Sequence, residues 1–324
     1  MVQRKIMVAT FCFLLCAAVV NAQIRQPAET RNAALRYWLA FADLQDPPTD
    51  KATSDLLEKT AAGEAAWDEA KLGPILDKNE EAVRAMQRAT KLPECDWGLE
   101  YELGPRASIA YAPRARVLAR LNTLYGMRLA AKGNMQEAVD SWLAGIRFSQ
   151  HLAQGGTLIF SLIAKTGLLS SFQALTQAAQ SGELTQAQRT EVVDAVRALP
   201  EAGFDWSAAL AYESDPLDVA IKQMKQAESP AEYVQEVTGK RAPENFSVPT
   251  AADTSAFHKL MNAAAVALSL PPEEAQQRVE SLQETVKTLH PFYLEYTPSL
   301  TRINQSRVEV AAAREKLLQA VRGR

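Results

Sequence analysis

Apolar and polar positions recur along this chain with the period of an α-helix. Met135, Ala138, Val139, Trp142, Leu143 and Ile146 follow one another at three- and four-residue steps, while Gln136, Glu137, Asp140 and Arg147 take the other side. That spacing predicts one buried stripe and one wet face. Upstream, Val117, Leu118, Leu121, Leu124 and Tyr125 form a second stripe, and Lys132-Gly133-Asn134 supplies a turn between the two. The pair predicts an antiparallel helical hairpin. Thr157 to Phe172, with Leu158, Ile159, Leu162, Ile163, Leu168 and Leu169, is apolar nearly all round, the pattern of a helix enclosed by others. It is shorter than a membrane span requires and is interrupted by Lys165.

Helix starts can be read from capping chemistry. Thr185-Gln186-Ala187-Gln188 and Ser229-Pro230-Ala231-Glu232 fit the capping box, the latter with proline at the first helical position, and Thr297-Pro298 reads as a further start. Ala, Leu, Gln, Glu and Arg fill the intervals between only 14 glycines and 16 prolines, and these residues favour helix. Helices are expected near 28–44, 52–62, 64–90, 113–131, 135–153, 157–180, 186–198, 206–227, 253–269, 273–289 and 299–321. No strand is expected. The fold class is therefore all-α, an irregular stack of antiparallel helical hairpins. Residues 239–250, with Pro243 and Pro249, read as an exposed linker between a main helical domain, 23–238, and a C-terminal helical arm, 251–324, that packs on it. The sparse apolar positions of the last two long helices mark them as outer-layer elements.

Residues 119–152 resemble one tetratricopeptide unit: Tyr125-Gly126 stands at that motif's Leu-Gly step, Leu129 at its Tyr, Gly133-Asn134 at its turn, Ala138 at its small contact position and Trp142 at its Phe. Asn122 replaces the motif's Trp and Gly145 its second small Ala, and the next comparable joint, Gly182 to Thr185, breaks the period of about 34 residues that an array keeps. The resemblance implies a tetratricopeptide-like bundle or short solenoid whose concave face takes a protein or peptide. The chain as a whole is similar to secreted bacterial helical proteins of unknown function.

The N-terminal segment changes the expected address. Arg4 and Lys5, an apolar run from Ile6 to Val20 and the small-residue close Val20-Asn21-Ala22 predict a signal peptide over 1–22 and an exported, periplasmic or extracellular product. With that segment go Cys12 and Cys16, leaving Cys95 alone and no intrachain disulfide. No membrane span is expected after cleavage. The formal net charge is −3, and no cluster of Lys and Arg supplies the basic footprint that nucleic acid requires.

Candidate chemistry concentrates in one stretch. In Asp96-Trp97-Gly98-Leu99-Glu100-Tyr101-Glu102-Leu103 the apolar positions alternate with acidic or small ones, which predicts an extended strip with an apolar and an acidic side. Trp97 and Tyr101 would pin it, while Asp96, Glu100 and Glu102 face water or meet a cation, a sugar or a basic partner. The order Leu92-Pro93-Glu94, Asp96-Trp97, Tyr101-Glu102 is paralleled by Leu199-Pro200-Glu201, Asp205-Trp206, Tyr212-Glu213, which adds Glu213 to the candidates. None of His151, His258 and His290 lies in zinc or di-iron helical spacing, and nucleophile motifs are absent. Gly155-Gly156 reads as a helix joint. No cofactor is implied. The expected function is a non-enzymatic interaction or scaffold protein binding a protein or peptide, and the alternative is a hydrolase or lyase using the clustered carboxylates.

Overall fold

Residues that lose little on entering a helix fill this chain, and the computed structural model is helical accordingly. It describes residues 30–46, 50–242 and 246–323, so the expected signal peptide lies outside the described residues. In chain order the elements are α1 (Ala33–Asp43), α2 (Lys51–Ala61), α3 (Glu69–Ala89), a 3-10 turn (Tyr101–Arg106), α4 (Tyr111–Ala131), α5 (Met135–Ala153), α6 (Leu158–Ser181) and α7 (Gln186–Arg197). Then follow α8 (Trp206–Tyr212), α9 (Ser214–Gln226), α10 (Pro230–Thr238), α11 (Ala251–Leu268), α12 (Pro272–Val286), α13 (Pro291–Tyr296) and α14 (Leu300–Arg322). Among the described residues the fold is all-α, with no strand and an isolated parallel bridge between Asn32 and Glu94. Asn32 to Arg324 form one unit.

The capping box at Thr185 is formed with Gln188, and Ser229 Oγ accepts from Glu232 N at the start of α10. The start expected at Thr297 falls instead on Ser299, whose hydroxyl accepts from Arg302 N. One expected helix is two: α8 ends and α9 begins at Glu213. The short α13 has a cap that is not a usual one, since His290 Nδ1 accepts from Phe292 N at 3.2 Å.

Helices α4 and α5 pair across the Gly133 turn. Trp142 Nε1 donates to Thr123 O at 3.1 Å, and a Cβ on Gly126 would lie 2.4 Å from the same nitrogen. Helix α6 packs on both, α3 on α1 and α4, and α14 on α6, α7 and α12. Asn122 is fully buried and bridges three helices, accepting from Gln87 Nε2 at 2.9 Å and donating to Ser141 O at 2.8 Å.

One expectation about layers gains detail and another changes. Helix α14 packs on α6 and α12 along one face, while Gln305, Ala312, Lys316 and Gln319 on the other stay exposed. Its contact face mixes Ile303, Val310 and Leu317 with buried Asn304 and Arg307, so sparse apolar positions still make a packed face. Asn304 Nδ2 donates to Pro272 O at 3.0 Å, and Arg307 Nη1 donates to Asn304 Oδ1 at 2.8 Å. Arg189, equally buried, donates to Ala179 O and Val321 O, both at 3.0 Å, and so caps the C-terminal ends of α6 and α14 together. The change concerns α6. It is long and apolar enough to cross a membrane and has 56% of its apolar window buried, yet Ile159 and Leu162 each remain 43% exposed. One side of this helix is open.

Candidate functional site

The strip begins as expected and then departs from it. Asn32 clasps Asp96 through both its backbone groups, at 2.9 and 2.8 Å, and Asp96 Oδ1 accepts from Gly98 N at 3.0 Å. Trp97 is buried in a ring stack with Tyr111 at 4.4 Å and Tyr37 at 5.5 Å, and its Nε1 donates to His151 O at 2.8 Å. From Tyr101 the backbone tightens into the 3-10 turn, so the two-residue alternation stops and Leu103 is exposed. Gly104 permits this turn: its φ is +59°, and a Cβ there would lie 3.0 Å from Pro216 O and 2.8 Å from Val219 Cγ1. Asp96, Glu100 and Glu102 all face solvent. Replacing Glu100 and Glu102 together with glutamine should therefore shift stability by no more than about 0.5 kcal/mol per site in urea unfolding. A larger change would show a structural role for the two carboxylates.

Tyr101 and Glu213 belong to one arrangement, built where the two similar segments converge on the Gly155-Gly156 joint. Tyr101 Oη donates to Gly155 O, and its ring stacks on Tyr212 at 5.9 Å. Gly156 has φ +84°, and a Cβ there would lie 2.8 Å from Tyr101 Oη. Burial pushes the Tyr101 hydroxyl up to about 12, with Tyr212, Asp96 and Glu213 adding to the shift. Thr157 precedes α6 but does not cap it, and its buried hydroxyl has no hydrogen-bond partner. Glu213 caps instead: its Oε1 accepts from Leu158 N at 2.7 Å. This is a carboxylate at a helix N-terminus supplied from a distant part of the chain.

Burial raises the Glu213 carboxyl above the ordinary glutamate range, and the Leu158 N–H only partly opposes it. Between the ordinary value and the raised one the folded protein holds a proton that the unfolded chain has lost. Stability from this group therefore falls as pH rises through that window. Glu213→Gln should flatten that part of the stability profile. Glu213→Ala should cost about 1–3 kcal/mol by leaving the buried Leu158 N–H unpaired. Equal profiles for wild type and Glu213→Gln would refute this assignment.

The remaining candidates disperse. His151 Nδ1 lies 2.7 Å from Tyr37 Oη, His258 Nε2 lies 2.9 Å from Asp218, and His290 caps α13. Burial lowers the pKa of His151. Cys95 is a free, half-buried thiol pushed up to about 12 by burial and by Asp96, the opposite of the shift that activates a nucleophile. Among the described residues no group of three or more His, Cys, Asp or Glu side chains comes together.

A larger feature lies on the open side of α6. Ile109, Val117, Ile159 and Ile163 line an apolar hollow of about 790 Å³. It shares Glu58, Arg116, Arg120 and Ile163 with a second hollow, floored by Ala62, Ala119, Gly167 and Ser170. That one shares Ala62, Thr166 and Ser170 with a third, between α6 and α14, where Lys165, Glu309 and Lys316 stand. The three hollows adjoin in a row across α2, α4, α6 and α14, a shallow trough whose first two parts share the Glu58–Arg120 ion pair. Gly167 lets α4 and α6 close to form its floor, since a Cβ there would lie 3.2 Å from Ala119 Cβ and 3.0 Å from Ser149 Oγ.

None of the six residues proposed from sequence lines this trough. Its one signal in the sequence is the excess of apolar residues on α6, read there as enclosure on every side. No protein-family model matches the chain, and no curated protein or solved structure matches it.

Proposed function

We propose that this is an exported interaction protein whose stacked helical hairpins present the trough as a docking face for a segment of another protein. The observation that carries the reading is the row of adjoining hollows across four helices, with exposed Ile159 at one end. Exposed apolar side chains in a long concavity fit recognition of a chain segment. The order of packing supports the hairpin reading. Neighbouring helices touch first to first (α2, α4, α6) and second to second (α3, α5, α7), while within the successive pairs it is α4 and α5 that pack closely together. The first helices, α2, α4 and α6, are the ones that line the trough, and α14 closes its end.

Site-specific photo-crosslinking in the native compartment tests this. A photoreactive residue in place of Thr166, on the trough, should yield discrete adducts with another protein. The same residue in place of exposed Lys222 on α9 should not. The protein recovered from the exported fraction should begin at Gln23. Equal labelling from both positions, or none from position 166, would remove the docking reading, and a retained Met1–Ala22 segment would remove cleavage of the leader.

A further inference from the structure

The trough's charge does not match the protein's. The whole chain carries a formal net charge of −3, yet the trough is lined by the cations Arg116, Arg120, Lys165 and Lys316 against the carboxylates Glu58 and Glu309. Both carboxylates are engaged within the wall. Arg120 Nη2 lies 2.7 Å from Glu58 Oε1, and Lys165 Nζ lies 2.5 Å from Glu309 Oε2 and 3.2 Å from Ser306 Oγ. Arg116 and Lys316 are exposed and make no ion pair among the described residues. They stand at opposite ends, Arg116 beside the Ile109–Ile159 hollow and Lys316 on α14. The lining thus offers one apolar seat and two separated cations, and the wall supplies no anion of its own for either.

On the reading of the trough as a docking face, we infer that its occupant is an acidic segment of another protein. Its apolar side chains would seat at Ile109, Ile159 and Ile163, with one carboxylate opposite Arg116 and another opposite Lys316. Complementary charge fixes the direction in which the segment lies and rejects basic segments by repulsion. The apolar seat supplies the area removed from water. Against the net negative charge of the chain, the unpaired cations of the lining also steer the approach of such a segment.

Short labelled peptides test the inference against the full chain by fluorescence anisotropy. One peptide has leucines between glutamates, a second has lysine in place of each glutamate, and a third has glutamates without leucines. The first should bind at least about tenfold more tightly than either of the others, a difference of about 1.4 kcal/mol, and it should weaken as salt is raised. Arg116→Glu with Lys316→Glu, two exposed positions, should reverse the preference toward the lysine peptide. Ile159→Ser should weaken both leucine-containing peptides. The inference is overturned if the lysine peptide binds as well as the glutamate one, or if charge reversal leaves the preference unchanged. It also fails if none of the peptides binds. Adducts from position 166 alongside any of these results would leave the docking reading standing and remove only the acidic partner.

Discussion

Trp142→Ala should destabilise the protein by roughly 3–5 kcal/mol, the range for removing a large buried aromatic. The indole is 2% exposed, donates to Thr123 O, and fills the space that glycine at 126 leaves beside it. The contact gives the experiment an internal control. Gly126→Ala alone should be destabilising, because its Cβ would lie 2.4 Å from the indole nitrogen. Added to Trp142→Ala it should cost less than it does alone, since the space is then vacant. Urea unfolding of the four proteins gives the coupling. A loss below about 1 kcal/mol for Trp142→Ala, or strict additivity, would mean that the α4–α5 contact is not formed this way.

Trp97→Ala should have an effect of the same size, roughly 3–5 kcal/mol, although Trp97 lies in a connection between helices. Its ring stands among Tyr111, Tyr37 and Phe41, and Tyr111 continues the stack to Phe160 on α6 at 4.9 Å. The connection thus contributes a core residue from outside any helix. Trp97→Phe should retain most of the stability, because it keeps an aromatic plane against Tyr111 and loses mainly the hydrogen bond to His151 O. If alanine and phenylalanine were equally harmful, the indole N–H rather than the stack would be the main contribution.

The helices were legible where apolar spacing and capping agree, as around Trp142, Thr185 and Ser229. They were less legible where polar residues do core work. Asn122 stands at a position where the tetratricopeptide motif has an aromatic, and its meaning lies in Gln87 and Ser141, which no local spacing brings to it. Asn304, Arg307 and Arg189 hid part of the α14 contact face for the same reason. At the candidate site, the pinning of the strip by Trp97 and the exposure of Asp96, Glu100 and Glu102 were readable from alternation. The turn at Tyr101 was not, because it depends on Gly104 meeting Pro216 and Val219 from a distant helix. The role of Glu213 was likewise hidden, as the N–H it accepts from belongs to Leu158. The trough is a property of four helices together, and a single-helix pattern records only that α6 has more apolar surface than one neighbour can cover.

The closure of α6 by α14 also sets the order in which the chain can fold. Lys165 and Ser306 are 141 residues apart, and Arg189 reaches Val321 across 132. Such distant contacts form late, because the loop between them must be closed before they give anything back. Helices α4 to α7 can pair locally long before that, and until α14 arrives their longest apolar face stays open to whatever is nearby. Refolding should accordingly pass through a helical species that binds hydrophobic dyes and aggregates at high protein concentration. Under the proposed export, a chain crossing a membrane unfolded would be at greatest risk during that interval, which makes the last step of folding, rather than the stability of the finished protein, the stage at which assistance matters most.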